Sequence, residues 1–130
     1  MTTLKIGITK KNPKHEEFMD EYHATTQGNP FDHRARVYGH SVAHLSDARD
    51  TIHIHDIRSF QHKGGHGTKH LKHITDLADK HKVKLSLHAV PYDDGIHGKM
   101  SPHKLKSWYM EHGFRKKHED GDVYMERNPK

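Results

Sequence analysis

Apolar residues recur along this chain at two spacings, every second position and every third or fourth. The change from one to the other lays out the elements. Residues 3–10 (TLKIGITK) set Leu4, Ile6 and Ile8 against Lys5, Gly7 and Thr9, the period of a half-buried strand. Asn12 followed by Pro13 predicts a helix start, with Asn as cap and Pro in the first turn. Phe18, Met19 and Tyr22 then fall at helical spacing over residues 14–25, and Gln27-Gly28-Asn29-Pro30 breaks the helix. Residues 31–36 show no clear period. Residues 36–45 (RVYGHSVAHL) read as one bent strand, or two short ones with Gly39 at the bend, ahead of a polar turn over 46–50.

The next strand covers residues 51–60 (TIHIHDIRSF). Ile52 and Ile54 share one face, His53 and His55 the other, and Ile57 is then out of phase. A β-bulge near Asp56 and Ile57 accounts for the slip. A glycine-rich loop follows (QHKGGHGT, residues 61–68), and residues 69–81 carry Leu71, Ile74, Leu77 and Ala78 on one helical stripe. Residues 84–92 alternate again, with Leu85, Leu87 and Ala89 on one face. Strand, helix and strand in that order imply parallel pairing through a right-handed crossover. After a loop over 93–100, Ser101 and Pro102 open a further helix bearing Leu105, Trp108 and Tyr109, which stops at Gly113. Residues 114–119 and 122–127 predict a closing hairpin about Asp120-Gly121. The order gives an α/β fold, a mixed sheet with helices on its faces.

Composition narrows the partners. A chain of 130 residues predicts one domain over 1–130, and 31% apolar residues predict a small core under a very polar surface. Lys and Arg number 22 against 17 Asp and Glu, and the resulting +5 suits anionic ligands. Cys is absent, which excludes disulfides, thiolate metal sites and a cysteine nucleophile. The N-terminal stretch has no apolar signal core, and no window nears the ~20 apolar residues of a membrane span. A soluble cytoplasmic protein is the expectation.

A strand feeding a glycine-rich turn that opens a helix is a device for holding phosphate. Glycine lets the backbone approach the ligand, and the helix start presents N–H groups at the positive end of its dipole. Two familiar versions do not fit. Gly67-Thr68-Lys69 has the wrong order for a nucleoside-triphosphate loop, and the third glycine of a dinucleotide fingerprint is replaced by His70. The 17 His suggest metal, with His53 and His55 on one strand face and His66, His70 and His73 on one helix face. They are spread over the whole chain, however, and zinc usually takes His together with Cys or carboxylate. Surface filling is the plainer reading, and no metal is expected.

Gly65-His66-Gly67-Thr68, with Leu71 beyond it, resembles the acyl-coenzyme-A loop of the GNAT superfamily of N-acetyltransferases. The later block from Leu105 to Phe114 (LKSWYMEHGF) resembles that family's leucine/aromatic-Tyr-x-x-x-Gly-Phe segment. The closing run Tyr124-Met125-Glu126-Arg127-Asn128-Pro129 is similar to the terminal strand of small GNAT proteins, many of them phage-encoded. The resemblance covers residues 34–130 well and the first third poorly. It implies a GNAT-like splayed sheet and an acetyltransferase that uses acetyl-coenzyme A as acyl donor. The bulged strand would part from the strand over 84–92, with Ile57 and Ser59 bonding the pantetheine arm. His62, Lys63, Gly64, Gly65, His66, Gly67 and Thr68 would hold the pyrophosphate, and Ser101 would touch the coenzyme. Tyr109 matches the tyrosine that protonates the leaving thiolate. Asp56 is the first candidate base, His55 the second, and water a third.

The resemblance does not name the acceptor amine. A protein lysine or N-terminus, a small amine or a modified base all stay open, as does a homodimer. The alternative reading is a non-catalytic, basic binding module on the same fold, for a protein or nucleic acid.

Overall fold

The computed structural model describes residues 12–59, 65–89, 102–120 and 122–130. The strand expected over 3–10 and the loop over 93–100 lie outside these residues. In chain order the elements are α1 (Pro13–Ala24), β1 (Gln27–Asn29), β2 (Asp32–Tyr38), β3 (Ser41–Asp47), β4 (Ile52–Ser59), α2 (His66–His81), β5 (Leu85–Ala89), α3 (Pro102–Glu111), β6 (Arg115–Asp120) and β7 (Asp122–Arg127). The described strands form one sheet of seven in the order β1-β2-β3-β4-β5-β7-β6. Only β4 and β5 pair in parallel among the described strands, and α2 connects them; every other described neighbour is antiparallel. This is a GNAT-like mixed α/β fold.

Local chemistry accounts for most of the boundaries. The Asn12 side chain accepts the Lys14 N–H at 3.0 Å and caps α1, with Pro13 in its first turn. The stretch over 36–45 is two strands, with Gly39 at φ +61° in the turn between them. Two segments depart from expectation. Residues 32–36 belong to β2 (Asp32–Tyr38), whose first half is largely exposed and so carries no apolar alternation. The helix-breaking run at Gln27 also makes a three-residue edge strand, with an irregular register at Gly28/Asn29.

One apolar cluster takes residues from all three helices and the inner face of the sheet. Phe18 and Tyr22 come from α1, Leu71, Ile74, Leu77 and Ala78 from α2, and Leu105 and Tyr109 from α3. Ile52, Ile54, Leu85, Leu87 and Met125 face them from the strands. Side chains of this size each contribute about 2 kcal/mol when buried.

The cluster is closed at one end by an ion pair. Arg127, 4% exposed, donates from Nη1 and Nη2 to the two oxygens of Asp79 at 2.8 and 3.0 Å, and from Nε to the His112 carbonyl at 2.7 Å. This fork ties β7 to α2 and to the chain leaving α3. It also explains Gly113, which lies at φ +96°: a Cβ there would stand 2.9 Å from Arg127 Nε. The glycine of the Gly-Phe block is therefore required by backbone conformation and packing.

Candidate functional site

The site begins with a mismatch in β4. Opposite β3, His44 pairs with Asp56 but Leu45 pairs with Ile54, so His55 is the extra residue. The bulge thus falls one residue before the expected Asp56–Ile57 position. Two residues separate Ile54 from Ile57, and only the pairing with β3 shows which one is inserted. Beyond the bulge Ile57 returns to the inner face, opposite Ala43, and packs against the core.

The bulge coincides with the parting of two strands. β4 pairs with β5 at Ile52↔Leu85, His53↔Ser86 and Ile54↔Leu87. Among the described residues the ladder stops there. β4 continues along β3 to Ser59, while β5 continues along β7 to Ala89. The result is a slot between the second half of β4 and the end of β5. The Ile57 and Ser59 backbones lie along its β4 wall, in register with Ala43 and Ser41 on the other side.

α2 begins near the end of β4. Gly65 precedes it at φ +64°, ψ +31°, a left-handed conformation that suits glycine, and its carbonyl accepts the Lys69 N–H at 3.0 Å. Among the described residues no side chain caps this helix start. The Gly67 and Thr68 N–H groups find no acceptor among the described residues, which leaves donors at the positive end of a 16-residue helix. Gly67 has no positive φ, and a Cβ there would meet only Trp108 carbons at 4.0 Å. The fold itself would accept alanine at 67. His66 lies against His40 (ring centroids 4.7 Å), and desolvation, His40 and Lys69 hold its pKa below the usual imidazole value. His62, Lys63, Gly64 and Ser101 fall outside the described residues.

α3 carries Tyr109 into the core, near Asp56 of β4. The ring is 6% exposed, tilted against Trp108 at 4.9 Å and edge-on to Phe114 at 5.7 Å. Burial raises the pKa of its phenol well above the ordinary tyrosine value, and the nearby charge of Asp56 raises it further. Tyr109 therefore keeps its proton at neutral pH. Asp56 is half-buried and pairs with Arg58, Nε to Oδ2 at 3.1 Å. The structure thus brings Tyr109 within electrostatic reach of Asp56, next to Ile57 on β4.

Three residues have placements that sequence reasoning missed. Trp108 packs partly against the core, and its indole N–H donates to Thr68 Oγ1 at 2.9 Å. It braces the first turn of α2 against α3, and no sequence spacing marks such a contact. His15 and His70, expected on the surface, are buried. His70 bonds to Tyr22 Oη through Nε2 at 2.8 Å and to Ser41 Oγ through Nδ1 at 3.1 Å. Ser41 donates to the Arg58 carbonyl at 3.0 Å, so it accepts the Nδ1 proton, and Nε2 accepts from the phenol. Desolvation lowers the His70 pKa to about 4. His70 shares the stripe of Ile74 and Leu77 at helical spacing, a signal that could have placed it inside. Among the described residues no three His, Cys, Asp or Glu side chains converge as a metal ion would need.

Comparison with known proteins gives the fold a parallel. No family model matches the chain, and no curated protein matches it. Among solved structures, the chain is similar to the crystal structure of the anti-CRISPR protein AcrVA5, with a TM-score of 0.54 and 22% identity. The match covers 66% of this chain and 87% of that one.

Proposed function

We propose that this chain is an N-acetyltransferase of the GNAT type, which passes the acetyl group of acetyl-coenzyme A to an amine. The observation that carries the proposal is the parting of β4 from β5 at a bulge, with a glycine-opened helix start beyond it and a protonated tyrosine within electrostatic reach of Asp56. The likeness to AcrVA5 supports the fold on which this reading rests.

The residues fit such a donor. The β4 edge at Ile57 and Ser59 can bond an extended amide-bearing arm as a further strand would. The N–H groups of Gly67 and Thr68 suit a pyrophosphate, with Lys63, His62 and His66 nearby in sequence. The bound thioester supplies an activated acyl group. In the reaction the amine nitrogen bonds to the acyl carbon and the carbon–sulfur bond breaks. A backbone N–H at the bulge steadies the negative oxygen. Tyr109 gives its phenolic proton to the departing sulfur. The proton shed by the amine passes to Asp56 or to water. The Arg58 guanidinium holds the Asp56 carboxylate in place at 3.1 Å, which suits a base that also neighbours the phenol.

Tyr109→Phe tests the assignment. It keeps the buried ring and removes the proton, so turnover should fall by roughly 10²-fold or more with unchanged coenzyme binding. Full turnover in the variant would remove the general acid. A non-catalytic binding module on the same fold would give no turnover in either protein.

A further inference from the structure

Trp108 makes a contact that acyl transfer, as set out so far, leaves without a role. Its indole N–H donates to Thr68 Oγ1 at 2.9 Å. The same indole lies along Gly67, where a Cβ would stand 4.0 Å from two of its ring carbons. One side chain of α3 thus touches both of the residues whose N–H groups find no acceptor, among the described residues, at the start of α2. The ring also meets Tyr109 at 4.9 Å and His112 at 5.8 Å and packs partly against the core, so it is held from its own helix.

The chemistry of the two partners fixes the direction of this bond. An indole has one donor and no acceptor, whereas a hydroxyl has one proton and two lone pairs. Thr68 Oγ1 is therefore the acceptor, and its own proton points elsewhere. Helical threonines often donate that proton to a carbonyl three or four residues back, as Thr75 does to Lys72 at 3.0 Å in the same helix. Thr68 donates to no acceptor among the described residues. The bond to Trp108 is also exposed, and water competing for both groups leaves little gain in stability. Cohesion is a weak reason for it. Orientation of the hydroxyl is a stronger one.

We infer that Trp108 is a positioning residue for the coenzyme: by occupying one lone pair of Thr68 Oγ1, its indole N–H frees and aims the hydroxyl proton for a pyrophosphate oxygen. The Thr68 hydroxyl then joins the Gly67 and Thr68 N–H groups as a further donor on one turn of helix. Hydrogen bonds to a charged oxygen are about twice as strong as neutral ones, so an aimed hydroxyl gains more from phosphate than from water. The inference rests on the acetyl-coenzyme A reading and adds to it a residue outside the glycine loop.

The chain has a single tryptophan, so its indole N–H gives one isolated proton NMR signal. Titration of the full wild-type chain with acetyl-coenzyme A should move that signal, with the midpoint that calorimetry gives for binding. Calorimetry of variants then measures the coupling. Kd should rise about fivefold in Trp108→Phe, which keeps an aromatic ring and loses the N–H, and about tenfold in Thr68→Val, which keeps the shape and loses the hydroxyl. Trp108→Phe added to Thr68→Val should weaken binding no further, because the indole acts through the hydroxyl. Absence of any binding to the wild type, in calorimetry and in melting, would overturn the acetyltransferase reading and this inference with it. Wild-type binding with an unmoved indole signal, an unchanged Kd in Trp108→Phe, or full additivity of the two losses would each overturn the inference alone.

Discussion

The two halves of β4 are built to opposite ends. Its first half, Ile52–Ile54, is paired on both sides, and both isoleucines lie in the core. Beneath it the Thr51 hydroxyl bonds Ser86 at 2.7 Å, and the Arg127–Asp79 fork locks the nearby end of α2. Its second half, Asp56–Ser59, follows β3 while β5 turns away. One inserted residue, His55, separates a half of β4 paired on both sides from a half that, among the described residues, pairs with β3 alone. The contrast predicts that substitutions at the closed end cost stability, while those at the open end cost binding or turnover.

The closed end should respond most. Arg127→Ala removes three side-chain hydrogen bonds and leaves Asp79 without its main charge partner. Urea unfolding should show a loss of about 4 kcal/mol. A loss under about 1 kcal/mol would mean that the fork is ornamental and the comparison misplaced.

Acid should act next, through the support beneath the open half. His70 binds Ser41, which in turn holds the Arg58 carbonyl. Its pKa is about 4 in the fold, against ~6.5 in an unfolded chain. The unfolded state therefore binds the extra proton between those values. Stability should be full above pH ~6.5 and fall by roughly 3 kcal/mol as pH drops to about 4. A pH series of melting curves checks the direction, and His70→Gln should lessen the acid sensitivity, with His53, whose pKa is also lowered to about 4, supplying part of what remains. A wild-type profile that rises on acidification would contradict the buried, neutral assignment.

The smallest stability effects belong to the helix start, where the two glycines part company. Gly65→Ala forces a Cβ into a left-handed conformation and should cost ~1 kcal/mol. Gly67→Ala meets open space up to Trp108, so its stability should change by less than ~0.5 kcal/mol. If residue 67 must nonetheless approach a pyrophosphate, that variant will bind acetyl-coenzyme A more weakly at unchanged stability. Calorimetric titration beside a melting curve separates the two effects.

What the chain's spacing revealed follows the same division. The α1 cap, the α2 stripe and the Leu85–Leu87–Ala89 face were legible because each depends on residues close in sequence. The bulge was legible as a phase slip, but its position depended on β3, a different segment. β2 was hidden because Asp32, His33 and Arg34 face solvent at the start of an outlying strand. The ring contacts among His44, His53, His55 and His88 on neighbouring strands were hidden for a related reason. Each histidine looked like surface filling by itself, and only cross-strand register made neighbours of them. His70 was misjudged by residue type, since its helical position pointed inward.

The central claim is that the slot between β4 and β5 receives acetyl-coenzyme A. Hydrogen exchange of the full chain with and without acetyl-coenzyme A tests it directly, since a ligand that binds the fold protects what it covers. Exchange should slow at Gly67, Thr68 and the second half of β4, with the first half unchanged and the melting temperature raised. Unaltered exchange in both halves at saturating coenzyme, with no shift in melting, would contradict it.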